Sequence, residues 1–404
     1  MKPVLQLSAA LLLAGVAFSS PFEERQSHPT IPSGCVNITI PITASSNDNI
    51  PLPSDLNQIN FFLLVNPVLV GAFDAVASGT YNIGATYCPG SRLSCSDSAN
   101  PDPWVLPYST LKFQLVSDLF SGTYTRSYWF GLYYSQSNSW VDYASSLGYA
   151  TLSIDRLGNG LSDHPDPIVD VQLSYQAEEL HQIILQARAG LIPETNTNFN
   201  RIVVVGHSLG SVVANGLNAK YPADADATLL TGYAFFYPPE FTGVFIQSWL
   251  APADLSDPRY AGLSPAYLEA NNLNYLSFLF YDPGHFSQSL QDVDFNNRGT
   301  ISLGEAASIM VGSLQTEYTG PVLVMTGLHD AIYCSKLTID TQILFGTPLC
   351  DTSPSGIVRQ ASTLYPYASS FEVVFPNAGH CWQLHNNATV TFSIAHDWLA
   401  AQGI

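Results

Sequence analysis

Ser208 lies in the stretch Arg201 to Ala214 (RIVVVGHSLGSVVA), where a β-branched run meets a G-x-S-x-G turn and then a run of small residues with helical character. A serine hydroxyl is a poor nucleophile at neutral pH. It becomes a good one only when an adjacent base takes its proton as it attacks and a third group holds that base in the correct tautomer. A strand that turns sharply into a helix lifts the hydroxyl off the sheet, and glycines two before and two after (Gly206, Gly210) leave room for a strained backbone. The new helix also aims unpaired N–H groups at the same point, where an oxyanion would form. The chemistry these residues suit is acyl transfer through a covalent serine intermediate.

The acid and the base are expected downstream, in that order. Gly320 to Asp330 (GPVLVMTGLHD) reads as a buried parallel strand ending in a carboxylate, and Phe371 to His380 (FEVVFPNAGH) as a short strand whose trailing loop delivers a histidine. Asp330 then orients the base and His380 is the base, the competing role for Asp330 being to cap the helix that follows it. His385 and His396 are weaker contenders, the first for want of a strand-loop setting and the second because it falls in a terminal helix pattern. Asp155, in Asp155 to Ser162 (DRLGNGLS), is read as structural, with the glycines making the turn and Arg156 neutralising the carboxylate.

With these motifs and with Ser121 to Trp129 (SGTYTRSYW), the chain resembles the α/β-hydrolase superfamily over about residues 108 to 400, and specifically its secreted fungal, serine esterase or lipase-like members. The resemblance implies a mostly parallel sheet with helices on both faces, antiparallel N-terminal edge strands and a helical cap insertion. It gives the same assignment for Ser208, Asp330 and His380. The oxyanion hole takes one N–H from Leu209. Its second donor comes from the loop where many members carry a His-Gly pair and this chain has Ser121-Gly122-Thr123, so Thr123 is nominated, with Gly122 as the fallback. His207 and His329 precede nucleophile and acid without being metal ligands.

The elements that must position these groups follow from periodicity. Val36 to Ile42 alternates apolar and polar residues, and Thr80 to Tyr87 reads similarly, which suggests an antiparallel edge. From Leu111 onward strands (111–116, 149–154, 201–207, 227–236) alternate with helices (138–147, 174–189, 208–221), the pattern of a parallel sheet covered on both faces. Ser174 is expected to cap the second helix and Gly190 to stop it. Between Pro238 and about Gly312 the alternation lapses and aromatic residues crowd in, with Ser264-Pro265 marking a helix start. His207, Phe241, Phe245 and Trp249 are the pocket candidates. The expected organisation is a signal peptide over 1–19, an N-terminal extension joining the sheet over 20–110, the core over 111–240 and 313–404, and a cap over 241–312.

Composition bounds the rest. An apolar run from Val4 to Phe18 behind Lys2, too short to span a bilayer comfortably, reads as a cleaved secretion signal and not an anchor. Six cysteines suit an oxidising compartment. The preferred pairing is Cys88 with Cys95, Cys334 with Cys350, and Cys35 with Cys381. Asn37 and Asn387 head glycosylation sequons. Thirteen basic residues against 32 acidic ones give a net charge of −19, which repels nucleic acid and anionic lipid surfaces. No zinc-type spacing, phosphate loop or dinucleotide fingerprint is present in the sequence, so neither cofactor nor metal is expected. The expectation is a secreted hydrolase of a small-molecule or lipid-like carboxylic ester or lactone with an apolar or aromatic moiety. A peptidase, amidase or acyltransferase using the same triad, and a non-catalytic binding protein on this scaffold, are the alternatives.

Overall fold

The structure, a computed structural model, describes residues 31–52, 74–90, 112–118, 124–235, 250–308, 314–334 and 349–404. The expected signal peptide, Gly122, Thr123, Cys95, Phe241, Phe245 and Trp249 lie outside the described residues.

Among the described residues an eight-stranded sheet organises the chain from residue 31 onward, in the order β1-β2-β4-β3-β5-β6-β10-β11. Its strands are β1 (Val36–Asn49), β2 (Ala75–Cys88), β3 (Lys112–Asp118), β4 (Ala150–Ile154), β5 (Arg201–His207), β6 (Ala227–Thr231), β10 (Val322–Met325) and β11 (Phe371–Val374). From β4 through β3, β5, β6 and β10 to β11 every pairing is parallel, while β2 runs antiparallel to both β1 and β4. The parallel strands β4, β6 and β10 are wholly buried, β10 all apolar and β4 and β6 apolar but for Ser and Thr, as strands covered on both faces should be. β1 instead alternates buried and exposed residues, the mark of a strand with one face in water.

Helices α1 (Trp140–Ser146), α2 (Leu173–Ala189), α3 (Leu209–Lys220) and α7 (Ala388–Ala401) flank the sheet. α2 packs on α3 and on β1, and α1 packs on α7. Gly190 ends α2 in the left-handed region at φ 70°, but Ser174 does not cap it. The helix starts one residue earlier, with Gln172 at the cap position. Ser174 Oγ instead donates to Asn49 Oδ1 at 2.5 Å and so ties the helix to β1.

The segment 250–308 is not purely helical. It holds α4 (Leu273–Phe280), α5 (Gln288–Asn296) and α6 (Leu303–Ser308), but also a three-stranded antiparallel sheet of β7 (Leu250–Pro252), β8 (Tyr267–Ala270) and β9 (Ile301–Ser302). Ser264-Pro265 opens a turn into β8 rather than a helix, because Tyr267 N–H closes back onto Ser264 O at 2.9 Å.

Two other expectations are overturned. Cys35 is bridged to Cys88, not to Cys381, so neither the Cys88–Cys95 nor the Cys35–Cys381 bridge forms; Cys334–Cys350 does. The cause is register: Val36 pairs with Tyr87, which sets Cys35 opposite Cys88 one step further along. Nor does Arg156 neutralise Asp155. Asp155 accepts from the guanidinium of Arg126 and, at 2.7 Å, from the Arg126 backbone N–H. Arg156 reaches away to Glu305 of α6 and to the carbonyl of Thr300.

That buried Arg156–Glu305 pair ties segment 250–308 to the end of β4. Removing one partner strands the other charge in the interior, at a cost of about 3–5 kcal/mol. Arg156→Met is therefore expected to lose about that much stability in urea titration, and adding Glu305→Gln to recover part of it. A double variant no more stable than Arg156→Met would show that charge is not what holds the two segments together.

Candidate active site

β5 ends at His207 and α3 begins at Leu209, which leaves Ser208 alone to reverse the chain. It does so at φ 53°, ψ −109°, in the left-handed region that costs a residue with a Cβ about 1–3 kcal/mol unless its surroundings over-determine it. They do. Ser208 N–H donates to Thr231 O at 2.7 Å, and Ser211 Oγ lies 3.0 Å from Gly206 O and 2.8 Å from Thr231 O. Gly206 is required by contact: a Cβ there would sit 2.4 Å from both the carbonyl carbon and the oxygen of Gly210. At Leu209 the N–H opens the helix, in the set of donors that have no intrahelical acceptor.

Asp330 and His380 arrive from the ends of β10 and β11. Asp330 divides its carboxylate: Oδ1 accepts from Ile332 N–H (2.8 Å) and Tyr333 N–H (3.0 Å), capping the one-turn helix Ala331–Cys334, and Oδ2 accepts from His380 Nδ1 at 2.6 Å. A carboxylate only accepts, so Nδ1 carries the proton and Nε2 is left with a lone pair. Ser208 Oγ is 2.8 Å from that Nε2. The Cys334–Cys350 bridge braces the acid from behind, with Cys334 N–H on Asp330 O (2.9 Å) and Cys350 N–H on Leu328 O (2.8 Å). Ser208, Asp330 and His380 are each fully buried.

Aromatic side chains enclose the imidazole. The Phe280 and Tyr333 rings are each centred 5.9 Å from His380, and Tyr124 lies 6.1 Å from Phe280. His207 stacks on Tyr128 at 4.8 Å, with Nδ1 on Thr231 Oγ1 at 2.9 Å and Nε2 3.8 Å from Cys381 Sγ. Burial, and then the neighbouring His380, push its pKa well below the ordinary value and keep it neutral.

The remaining histidines and sequons have separate places. His396 lies in a buried chain in which Trp140 Nε1–H donates to Gln114 Oε1 and the Gln114 amide meets His396 Nε2 at 3.1 Å. His385 closes on the His380 loop: its Nε2 accepts from Gly379 N–H and Asp282 N–H, and its Nδ1–H donates to Cys381 O. Sequence spacing gives no hint of that role, since five residues from His380 matches no helical or strand period. Asn37 is exposed on β1, whereas Asn387 is half-buried beside α7 with its amide on Asn377 O.

Asp294 of α5 is a further buried group that sequence reading passes over. Its Oδ2 accepts from Tyr124 O–H (2.6 Å) and Tyr281 O–H (2.5 Å), so one carboxyl joins α5 to the residue following Thr123 and to the end of α4.

The alpha/beta hydrolase family model matches residues 119–391, and the chain belongs to that family. Among solved structures, the enol-lactonase of Burkholderia xenovorans is similar at 14% identity, covering 79% of this chain and 97% of that one with a TM-score of 0.49. The meta-cleavage product hydrolase of Pseudomonas fluorescens follows at 12% identity, 79% and 95% coverage and TM-score 0.48. A thermophilic esterase from Thermogutta terrifontis shows 16% identity, 80% and 94% coverage and TM-score 0.46. No curated protein sequence matches the chain.

Burial raises Asp294 from 3.8 to about 7, against the pull of its two tyrosine hydrogen bonds. The folded state therefore binds a proton that the unfolded chain has released. The stability this contributes is present below about pH 4 and is lost as pH rises toward 7. With about 1.4 kcal/mol per pKa unit, the loss is on the order of 4 kcal/mol. The stability of wild type minus that of Asp294→Asn is expected to fall across that window in denaturant titrations. A difference that stays level with pH would show that Asp294 is ionised in the fold throughout.

Proposed function

We propose that this chain is a secreted serine hydrolase that cleaves a carboxylic ester or lactone with an apolar or aromatic moiety through an acyl-enzyme. The observation that carries this reading is the unbroken hydrogen-bonded line from Ser208 Oγ to His380 Nε2 and from His380 Nδ1 to Asp330 Oδ2, wholly buried, with the serine on a strained turn.

In this reading Ser208 Oγ attacks the ester carbonyl carbon as its proton passes to His380 Nε2. The imidazolium so formed faces the Asp330 carboxylate, which stabilises it without taking the proton. Charge that develops on the carbonyl oxygen meets the Leu209 N–H and a second donor from the segment before Tyr124, with Thr123 assigned and Gly122 as its fallback. Losing one such donor costs about 100 to 1000-fold in rate. As the tetrahedral intermediate collapses, the C–O bond to the leaving group breaks and His380 returns the proton to the departing oxygen. Water then repeats the sequence, with His380 as base, to release the acid and restore Ser208. The rings of Phe280, Tyr333 and Tyr124 support the preference for an apolar or aromatic group, since they give that part of the site little to hydrogen-bond with.

Secretion is supported by the Cys35–Cys88 and Cys334–Cys350 bridges, which persist in oxidising compartments, and by the apolar N-terminal run of the sequence. No described helix is long and apolar enough to cross a membrane. Asn37, the better exposed of the two sequon asparagines, is the preferred glycan acceptor.

A fluorophosphonate probe is expected to label wild type at Ser208 and to spare Ser208→Ala. On p-nitrophenyl esters the same variant should lose about a million-fold in kcat, the scale on which removing a serine nucleophile acts. Clear turnover of aminopeptidase substrates with none of esters would replace the ester reading with an amide one.

A further inference from the structure

The loop that carries His380 has no strand to hold it. β11 stops at Val374, and the next regular turn, Trp382–Leu384, begins two residues beyond the histidine. Leu328 N–H and His329 N–H hold Pro376 O and Ala378 O along its approach, and one imidazole clamps the residues around His380 itself. His385 is 1% exposed, and its ring meets three backbone groups: Nδ1–H donates to Cys381 O at 3.0 Å, and Nε2 accepts from Gly379 N–H at 3.1 Å and from Asp282 N–H at 2.9 Å. Gly379 and Cys381 are the residues on either side of His380, so the ring grips the residue before it and the residue after it. The third contact joins that grip to the end of α4, where Cys381 N–H also donates to Phe280 O at 3.0 Å. Gly379 lets the strands of this knot approach, because a Cβ there would sit 2.7 Å from Phe280 O and 2.8 Å from Asp282 N.

We propose that His385 is a positioning residue for His380, its Nε2 lone pair holding Gly379 and Asp282 together so that the His380 ring faces Ser208 and Asp330 at once. The proposal rests on the reading of His380 as the general base. The acceptor matters more than the ring's bulk, since removing it leaves two backbone N–H groups buried without their partner. Only the neutral imidazole supplies one donor and one acceptor. The environment enforces that form: burial lowers His385 to about 4, helped by His285 and His329 and opposed by the Cys381 carbonyl and by Asp282. Tyr281 stacks on its ring at 5.7 Å, and Phe286 meets it edge-on at 6.2 Å, which completes an apolar jacket around the clamp.

Two substitutions separate the acceptor from the space it fills. His385→Asn keeps a donor near the Nδ1 position and offers nothing where Nε2 was; His385→Gln reaches the Nε2 position with an acceptor. The asparagine variant is expected to lose about 100-fold in kcat on a p-nitrophenyl ester, as misplacement of a reacting group by about 1 Å does, with KM little changed. His385→Gln should stay within about tenfold of wild type. A readout free of turnover accompanies these: the downfield proton resonance of His380 Nδ1–H, shared with Asp330, should persist in wild type and His385→Gln and be lost or broadened in His385→Asn. Wild-type kcat and resonance in His385→Asn would overturn the proposal. So would equal loss in both variants, tracking their fall in Tm. If wild type itself takes up no fluorophosphonate at Ser208, the hydrolase reading fails instead, and the resonance comparison still decides whether His385 sets His380.

Discussion

The proposed chemistry depends on one residue holding a conformation it would not choose. Ser208 sits at φ 53°, and what keeps it there is the pairing of β5 with β6, which puts His207 opposite Thr231 and brings Thr231 O within 2.7 Å of the Ser208 N–H. The two strands therefore do more than fill the core. Their register determines where the hydroxyl points, and Gly206 allows the helix that follows to return against the strand. A slip of one residue would turn every side chain of β5 to the opposite face and take the hydroxyl with it.

The acid shows the same economy at a second strand end. An aspartate after a parallel strand has two ordinary uses, capping the next helix and orienting a base, which look like rivals when only the sequence is in view. In the structure one oxygen caps the helix and the other accepts from His380 Nδ1, so both uses fit one carboxylate. The cap is what makes the orientation good, because the N–H groups of Ile332 and Tyr333 lock the carboxylate and leave Oδ2 presented to His380. Strand-end placement of functional side chains is general in open parallel sheets. What is particular to this chain is the Cys334–Cys350 bridge that closes the loop behind the cap.

Much of this was legible in the residues, and the failures have physical causes. Buried parallel strands read as short apolar, β-branched-rich runs with no charged interruption, so β4, β5, β6 and β10 announce themselves, and the G-x-S-x-G turn marks where one of them must end. The Cys35–Cys88 bridge was legible in principle. The two edge strands show their period-2 pattern in the sequence, and pairing them antiparallel sets the two cysteines opposite each other, a consequence that sequence separation alone hides. Arg156 misled for a different reason. Residues adjacent in an extended segment point to opposite sides, so Asp155 and Arg156 diverge, and Asp155 finds its cation in Arg126. His385 and Asp294 carried no signal at all, because each is defined by backbone groups or hydroxyls that only the folded chain brings together.

Those two residues hold the same short segment, and their protonation demands are opposed. Tyr281 O–H is held by Asp294, and the next residue's N–H by His385. Asp294 favours the fold while it carries its proton, a preference that fades as pH rises toward about 7. His385 favours the fold while it is neutral, and that contribution is present above the ordinary imidazole value near 6.5 and is lost as pH falls toward about 4. In the window they share, each raises or lowers stability by about 1.4 kcal/mol per pH unit, with opposite sign. The segment Phe280 to Asp282, which also receives the Cys381 N–H beside His380, is thus contacted by two groups whose contributions to the stability of the fold run in opposite directions with pH. The sum of the two contributions to the stability of the fold stays nearly level between about pH 4 and 6.5, where either alone would slope steeply.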